Sequence, residues 1–395
     1  MQLLSLQKVT YNTFVTFSFY VHIPYCVRRC GYCDFNTYTP AELQDGASLE
    51  IVSADYIDAV LQELATTPTD QVSTIFFGGG TPSLIPPKDL GRVISAIKAR
   101  NGVTEDCEIT LEANPDSVTQ EKLEGYISVG FNRISFGMQS NKEHVLKVLD
   151  RTHNPENVRK AVDMARAAGF PSISVDLIYG APGESLADWA STVKEALSLD
   201  IDHISAYALI VEDGTKLARQ IKSGELDEPD EDLQADKYEL ADKLLAENGF
   251  DWYEVSNWSK GKQSSSAHNI SYWQSQDWWG YGPGAHSHFG GVRWWNVKHP
   301  TAYSGKLQKA ESPAAGRETL SERVRLEERV LLEIRVSQGM AISILKQVSS
   351  NAQKLISEFI ADGLIDPKSA IGGYLKLTLK GRLLADSLVR QLLAD

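Results

Sequence analysis

The first 210 residues alternate between strand-like and helix-like segments. The strand-like segments are rich in β-branched and aromatic residues, and Gly, Pro or Asn bounds them. Several are apolar throughout, as expected for strands that are covered on both faces. These segments are FSFYVHI (17–23), STIFFGG (73–79), EITLEANP (108–115), NRISFGMQ (132–139), SISVDLIYG (172–180) and DHISAYALI (202–210).

Amphipathic helical patterns lie between these strands. In residues 155–170, for example, Val158, Val162 and Ala165 fall on one helical face, and Gly169 suits the position just after a helix end. Six strands that are each followed by a helix predict a parallel sheet with right-handed crossovers. Such a sheet is either doubly wound or a six-stranded part of a (β/α) barrel.

Two other patterns follow the strand and helix alternation. Residues 252–295 hold seven of the eight tryptophans, and frequent Gly, Ser and Pro there predict extended, loop-rich structure. Residues 321–336 and 342–363 have the periodicity of amphipathic helices, residues 374–381 alternate like a strand, and a helical pattern ends the chain. This order predicts a small winged-helix-like domain.

Charge and hydropathy exclude several classes of protein. The net charge of −13 argues against a protein that binds the phosphate backbone of nucleic acids. No run of 18 apolar residues is present, so no membrane-spanning segment is expected. The first twenty residues lack a basic head and a small-residue cleavage site, so we expect no signal peptide and a cytoplasmic location.

Three of the four cysteines crowd into one C-x3-C-x2-C motif, at Cys26, Cys30 and Cys33. Clustered thiols in a chain without an export signal indicate a metal site rather than a disulfide framework. Three thiolates would leave one iron of a [4Fe–4S] cluster open to another ligand. The alternative is a zinc site completed by His22 or another residue. For Cys107 we expect a buried position on a strand.

Residues that could bind a ligand or take part in catalysis lie at or near the ends of successive predicted strands. The second strand runs into GGGTPS, the third ends near Glu112, the fourth at Gln139, and the fifth contains Asp176. Ligands bind at the carboxyl ends of parallel strands, so this convergence predicts a site there together with the cysteines. The glycines at 78–80 lack a Cβ and would let a small molecule approach the backbone closely.

These motifs together resemble the radical-SAM superfamily. YVHIPYC-x3-C-x-YC, LEANP, FGMQS and VDLIYGAPGES resemble, more narrowly, the oxygen-independent coproporphyrinogen III dehydrogenase group. The resemblance implies an α/β fold, namely a partial (β/α)6 TIM-like barrel with an aromatic-rich extension and a small C-terminal winged-helix-like α+β domain. The expected units are 1–215 for the barrel, 216–318 for a helical and aromatic-rich extension that packs on it, and 319–395 for the C-terminal domain.

The resemblance also implies cofactors and the residues that bind them. A [4Fe–4S] cluster on Cys26, Cys30 and Cys33 would coordinate S-adenosylmethionine (SAM) at its fourth iron. Residues implied to contact SAM are Tyr20, Gly79, Gly80, Thr81 and Glu112. Residues implied to line the same cavity, where the dehydrogenase has been assigned a second SAM, are Gln139, Arg151 and Asp176. Without the resemblance, Tyr20 would be read as a packing residue, Arg151 as a surface residue and Asp176 as a turn cap.

Two departures from the dehydrogenase pattern resemble the HemW branch, which is described as haem chaperones that hand haem to membrane cytochromes. Phe35 stands where the dehydrogenase typically has a fourth cysteine, and the cysteine motif is reached by residue 26, without the dehydrogenase's extra N-terminal segment. His268 opens HNISYW, which is similar to the HNxxYW motif associated with haem binding in that branch. The alternative for His268 is a loop histidine bonded to backbone.

The sequence therefore predicts a haem chaperone with a cluster, SAM and haem as cargo, and with a membrane haem protein as acceptor. Two alternatives stay open: an enzyme that oxidatively decarboxylates the propionates of coproporphyrinogen III or catalyses another radical-SAM reaction, and a zinc-stabilised binding protein without radical chemistry. The oligomeric state is also open, a dimer included. His286 and His288 are not chosen as site residues, although their segment, GPGAHSH, could also face the cavity.

Overall fold

The computed structural model describes residues 17–43, 49–67, 70–151 and 153–394, without the side chains of 49–53. The expectation that the chain begins without a signal peptide concerns residues that lie mostly outside these ranges. Within them, no helix is both long and apolar enough to cross a membrane.

Six parallel strands form the centre of the sheet in the order of the chain. Each of the five pairings between consecutive strands is parallel. A doubly wound sheet reverses its strand order at a switch point, whereas this order runs on without reversal, so the sheet is the predicted partial barrel. The strands are β1 (Phe17–Ile23), β2 (Val72–Gly79), β3 (Val103–Ala113), β4 (Arg133–Gln139), β5 (Ser172–Tyr179) and β6 (His203–Ala208).

Helices follow these strands, as the alternating pattern predicts. Gly169 ends the fifth helix in the left-handed conformation, with φ 94°, as its position in the sequence indicates. Cys107 lies on β3 and is 6% exposed, which confirms the expected buried strand position. The helices are α1 (Leu49–Leu64), α2 (Pro87–Asn101), α3 (Gln120–Val129), α4 (Glu143–Val148), α5 (Pro155–Ala168), α6 (Leu186–Leu197), α7 (Lys216–Lys222) and α8 (Glu231–Glu247).

The two faces of the sheet differ in chemistry. The outer face, which packs against the helices, is apolar and forms the main core, with Phe19, Ile75 and Phe77 fully buried. The inner face is largely polar because every second residue of the strands points to it. Its residues, matched across the strands by register, include Ser18, Tyr20, His22, Thr74, Phe76, Glu108, Glu112, Arg133, Ser135, Asp176, His203 and Tyr207.

The tryptophan-rich region extends the sheet to twelve strands, so the prediction of loop-rich structure is wrong in part. β9 pairs with β1 in parallel, and β8 pairs with β6 antiparallel. Aromatic residues favour strands, and this preference outweighs the turn residues around them. The elements are β7 (Asp251–Glu254), β8 (Asn257–Ser259), α9 (Ala267–Trp273), β9 (Trp278–Tyr281), β10 (His286–Phe289), β11 (Val292–Asn296), α10 (Pro300–Gln308) and β12 (Ala314–Thr319).

The C-terminal region forms an apolar cluster of its own, which includes Val330, Leu345 and Phe359. The helix predicted over 342–363 is two helices, and the alternation at 374–381 gives only two strand residues because Thr378 caps a helix there. The winged-helix-like character and the three-unit division stay proposals. The elements are α11 (Glu322–Glu333), β13 (Met340–Ala341), α12 (Ile342–Leu345), α13 (Ala352–Ala361), α14 (Pro367–Ile371), β14 (Tyr374–Leu375), α15 (Leu379–Leu383) and α16 (Ala385–Leu392).

Candidate cofactor site

The cysteine motif lies on the loop between β1 and α1, at the carboxyl ends of the parallel strands. Backbone hydrogen bonds tie this loop to three other parts of the chain. Cys26 N–H donates to Tyr38 O (3.1 Å), Gly31 N–H donates to Leu149 O (3.3 Å), and Leu217 N–H donates to Gly31 O (2.8 Å). The loop is therefore held in place by its own return segment, by the end of α4 and by α7.

The three thiols are partly buried and have polar neighbours. Thr81 Oγ1 donates to Cys26 Sγ (3.7 Å), and Arg151 Nη1 donates to Cys30 Sγ (3.4 Å). Burial raises the pKa of Cys26, and it raises the pKa of Cys33 to about 11. The protein alone thus favours protonated thiols at these two positions, and a bound metal that coordinates thiolates would displace those protons.

The donor set fits an iron–sulfur cluster. Three thiols from one loop supply three iron ligands and leave a fourth iron for another group. Among the described ranges, no group of three or more His, Cys, Asp and Glu side chains is arranged to hold a single metal ion.

Two clefts open beside the cysteine loop. One, of about 420 Å³, is lined by Cys30, Cys33, Phe35 and Lys216 among others. The other, of about 510 Å³, has Arg151 in its wall. Phe35, at the position of the dehydrogenase's fourth cysteine, is 60% exposed and faces the first cleft rather than the core.

The glycine loop after β2 packs against the cysteine loop. A Cβ on Gly80 would lie 2.5 Å from Tyr25 O, and a Cβ on Gly79, whose φ is +106°, would lie 2.5 Å from the His22 ring. Thr81 N–H donates to Tyr25 O (2.8 Å). The sequence predicts that these glycines let a ligand approach the backbone. In the structure they also allow the glycine loop and the cysteine loop to pack in direct contact.

Two carboxyl groups from β3 and β5 lie on the inner face. Glu112 Oε2 accepts from Gly79 N–H (3.0 Å), and Asp176 Oδ2 accepts from Ser135 Oγ (2.9 Å). Burial, and then the charge of Asp176, raise the pKa of Glu112 to about 7, and burial also raises the pKa of Asp176. Both carboxyl groups are desolvated, so a bound cation would favour their charged forms, as the charges of Arg133 and Arg151 already do in part for Asp176.

Gln139 and Arg151 converge over Gly137. A Cβ on Gly137 would lie 2.9 Å from Gln139 Nε2 and 3.3 Å from Arg151 Nη2. Gln139 ends β4 with φ 60°, it is 8% exposed, and its Oε1 has no hydrogen-bond partner within the described part of the chain. A left-handed backbone and an unpartnered buried oxygen on one residue are typical of a ligand site. This oxygen fits a polar group of a bound cofactor.

Tyr20 stands on the inner face beside these groups. Its hydroxyl contacts His22 Nδ1 (3.0 Å), and its ring stacks on Phe76 with centroids 6.2 Å apart. The structure thus gathers Tyr20, Gly79, Gly80, Thr81, Glu112, Gln139, Arg151 and Asp176 at the end of the sheet that carries the cysteines.

His268 is separated from this group by Phe76. Its ring stacks on the Phe76 ring (4.9 Å, 23°), its Nδ1 contacts Thr74 Oγ1 (2.8 Å), and its Nε2 contacts Tyr272 Oη (3.0 Å). The side chain is 1% exposed, and burial lowers its pKa to about 3. Both ring nitrogens are therefore engaged inside the protein, and the ring is not presented to a haem in this conformation.

The helix α9, which carries His268, fills the amino-terminal half of the inner face. Glu108 accepts from the backbone N–H groups of Ala267 (3.0 Å) and His268 (3.0 Å), and Ser18 Oγ donates to Ser271 Oγ (3.0 Å). Sequence reasoning missed Glu108. The signal for it was a charged residue at an inner-face position of an otherwise buried strand.

Glu254 holds the other end of α9 and was also missed. It accepts hydrogen bonds from Trp273, Asn257 and Asn269, and burial raises its pKa to about 8. Four residues of HNISYW therefore form hydrogen bonds within the protein, namely His268, Asn269, Tyr272 and Trp273. Their shared effect is to dock α9 on the sheet.

Comparison with known proteins shows the family to which the chain belongs. The model of the radical SAM superfamily matches residues 20–196. Over 382 residues, covering 95% of each chain, the sequence is 44% identical to a protein of Mycobacterium tuberculosis named Heme chaperone HemW. The chain belongs to the HemW family. A Bacillus subtilis HemW is 32% identical and covers 82% of this chain and 84% of its own.

A solved structure resembles this chain over 95% of its length. The coproporphyrinogen III oxidase HemN from Escherichia coli superposes with a TM-score of 0.80, and the match covers 95% of this chain and 90% of HemN. The two are 22% identical, so this likeness shows the shared fold alone. Membership of the radical SAM superfamily implies a [4Fe–4S] cluster and SAM as the resident cofactors.

Proposed function

We propose that this protein is a haem chaperone that binds haem, carries a SAM-coordinating [4Fe–4S] cluster and delivers haem to acceptor proteins. The observation that carries the proposal is the 44% identity, over 95% of both chains, to a protein named Heme chaperone HemW. The alternative, an oxidative decarboxylase of coproporphyrinogen III, rests on a structural likeness at 22% identity, which bears on the fold.

The cluster would be held by Cys26, Cys30 and Cys33. Bound there with SAM, it would supply the electron for reductive cleavage of SAM. The grouping of three thiols on one anchored loop supports this assignment. Arg151 supports it as well, because a guanidinium that donates to Cys30 Sγ favours the negative charge of a coordinated thiolate.

The SAM molecule would lie between the glycine loop and the ends of β3, β4 and β5. In the proposal Glu112 and Asp176 attract its positive charges, and the free Oε1 of Gln139 accepts a hydrogen bond from it. The residues that would contact SAM or line its cavity are Tyr20, Gly79, Gly80, Thr81, Glu112, Gln139, Arg151 and Asp176.

Haem would be cargo rather than a resident cofactor, and the acceptor would be a membrane haem protein. His268 would ligate haem iron only after its contacts with Thr74 and Tyr272 break and α9 leaves the sheet. In the docked arrangement we assign His268 to holding α9 in place.

The test is a haem titration of the anaerobically reconstituted full-length protein, followed by mixing with a haem-depleted haem protein. We expect saturable binding of ferric haem and its appearance in the acceptor. The same preparation is assayed with coproporphyrinogen III, SAM and a reductant. Formation of protoporphyrinogen would replace the proposal with the decarboxylase, and absence of haem binding would remove it.

A further inference from the structure

Thr37 has a buried hydroxyl that no nitrogen or oxygen atom satisfies. The residue lies on the return segment of the cysteine loop and is 1% exposed, and its Oγ1 has no such partner among the residues that the structure describes. Its backbone, by contrast, is engaged on both sides. The N–H donates to Phe35 O (2.7 Å), and the carbonyl oxygen accepts from the guanidinium of Arg29. Buried hydroxyls are normally hydrogen-bonded, so an unsatisfied one beside a metal-binding motif points to a role at that site.

The side chain that the Thr37 hydroxyl faces is Cys26. The return segment runs parallel to the cysteine motif, with Tyr38 bridged to Tyr25, and Tyr38 O accepts from Cys26 N–H (3.1 Å). Thr37 therefore precedes the residue that holds the Cys26 backbone. Burial raises the pKa of Cys26, and the hydroxyls of Thr81 and Thr37 oppose that rise, because each can donate to the sulfur and so favours its thiolate.

The charge of the Cys26 sulfur sets the strength of this hydrogen bond. The sulfur of a neutral thiol is a weak acceptor, whereas a thiolate accepts charge-assisted hydrogen bonds. Coordination to a metal replaces the thiol proton and gives the sulfur negative charge. A cluster bound at Cys26 would therefore supply the acceptor that the Thr37 hydroxyl lacks.

The sulfurs of the motif differ in the kind of donor that reaches them. Cys30 Sγ accepts from the guanidinium of Arg151 (3.4 Å), and Cys33 Sγ accepts from a backbone N–H. Cys26 instead faces two hydroxyl groups, and one of them is that of Thr37. A single substitution removes this hydroxyl, and Thr37, unlike Arg151, is not among the residues implied to contact SAM or line its cavity. Its effect on the cluster can therefore be measured separately.

We propose that Thr37 is a positioning residue for the cluster, whose hydroxyl donates a hydrogen bond to the Cys26 thiolate and raises the reduction potential. This inference rests on the cluster that forms part of the proposed function. The hydrogen atom of a hydroxyl carries partial positive charge, and the reduced cluster is the more negative state, so the bond is stronger in that state. Because Thr37 is buried, water does not compete for the sulfur from its side.

The experiment is a potentiometric titration of the anaerobically reconstituted full-length protein, without SAM, followed by electron paramagnetic resonance. Thr37→Val removes the hydroxyl and keeps the branched shape of the side chain. We expect the equilibrium constant for one-electron reduction of the cluster to fall about threefold to tenfold, where tenfold corresponds to about 59 mV. Thr37→Ser keeps a hydroxyl and should have nearly the wild-type potential.

Two comparisons separate the hydrogen bond from packing. If Thr37 only packed, Thr37→Val would match wild type, and Thr37→Ser, which loses a methyl group, would differ from it. The hydrogen bond predicts the reverse order. Thr104→Val is the matched control, because the Thr104 hydroxyl is also buried without a partner in the described ranges but lies near the start of β3, at the opposite end of the sheet. Its potential should equal that of wild type.

The outcomes separate the role of Thr37 from the presence of the cluster. If wild type forms the cluster and Thr37→Val has the same potential, the role is overturned and the cluster assignment stands. If wild type forms no cluster, that part of the proposed function fails and the role with it. If Thr37→Val takes up too little iron to titrate, Thr37→Ala is compared with Thr37→Ser. A lower potential in Thr37→Ala supports the hydrogen bond, and equal potentials overturn it. Circular dichroism checks the fold of each variant.

Discussion

The guanidinium of Arg151 donates a hydrogen bond to the Cys30 thiol across 3.4 Å. The second guanidinium nitrogen donates to Gly137 O (3.0 Å), which fixes the group between the cysteine loop and the end of β4. The family resemblance implies that Arg151 lines the SAM cavity, and the structure adds a direct contact with a proposed cluster ligand. Hydrogen bonds to cluster sulfurs are one of the factors that set reduction potential.

Arg151→Gln should therefore lower the reduction potential of the cluster, since loss of a positive donor destabilises the more negative, reduced state. A hydrogen bond that differs by about 1 kcal/mol between the two states corresponds to a shift on the order of 50 mV. Potentiometric titration followed by electron paramagnetic resonance measures it. Arg28→Gln is the control, because Arg28 lies on the same loop but pairs with Asp150. Equal potentials in wild type and Arg151→Gln would refute the role.

The cysteine assignment predicts a contrast between two thiols. After anaerobic reconstitution, Cys107→Ala should retain about four iron atoms per chain, as wild type does, and Cys30→Ala should lose most of them. Cys107 is the matched control because it is buried on β3, away from the motif. Iron and sulfide analysis measures both variants. Stoichiometric zinc with no uptake of iron would favour the zinc alternative instead.

The rim of the site could be predicted from the sequence because it depends on chain order. Parallel strands bring their carboxyl ends to one edge, so residues such as Glu112 and Asp176 are brought together by the sheet alone. The environment of His268 could not be predicted in this way. It depends on α9 packing across the inner face, with contacts such as Ser18 to Ser271 that span 253 positions of the chain. Nothing local in HNISYW reveals that its side chains point inward.

The raised pKa of Glu112 predicts a pH dependence of stability. Its pKa in the folded protein is about 7, above the ordinary 4.5, so the protonated form is favoured by folding. That stabilisation is complete below about pH 4.5 and is lost as the pH rises through 7, and it amounts to about 3 kcal/mol. In the cofactor-free protein, urea unfolding at about pH 5 and pH 8 should show a smaller loss of stability for Glu112→Gln than for wild type.

Glu121→Gln is the control for this measurement, because Glu121 is exposed at the start of α3. The free energy of unfolding of Glu121→Gln should change with pH as that of wild type does. Glu63 and Glu254 also have raised pKa values, about 7 and about 8, so wild type is expected to lose more stability than Glu112 alone explains. The idea fails if Glu112→Gln loses as much stability between the two pH values as wild type does.

A side chain at position 80 should have a steric effect on the site. Gly80→Ala would place a Cβ 2.5 Å from Tyr25 O, so the glycine loop must move away from the cysteine loop. We expect a loss of about 2 kcal/mol in the free energy of unfolding and at least a tenfold loss of SAM affinity, measured by urea unfolding and calorimetry. Gly305→Ala on α10, where the added Cβ meets nothing within 4 Å apart from the adjacent backbone of its own helix, should cause neither loss.

The contacts of His268 indicate that the HNISYW segment has a structural role, which is to hold α9 on the sheet. His268→Ala removes two side-chain hydrogen bonds and the stack on Phe76, so we expect α9 to be destabilised by about 3 kcal/mol. Amide hydrogen exchange of α9 measures this effect. Tyr272→Phe, which keeps the ring but removes the hydroxyl that contacts His268 Nε2, should cost only about 1 kcal/mol.

The same variant distinguishes two roles for His268. If His268 acts by docking α9, then bound haem should have the same iron spectrum in His268→Ala as in wild type, although α9 exchanges faster. If His268 is itself an iron ligand, that spectrum changes in His268→Ala. The first result is expected, because a ring that is 1% exposed, with both nitrogens bonded, has no nitrogen left for iron.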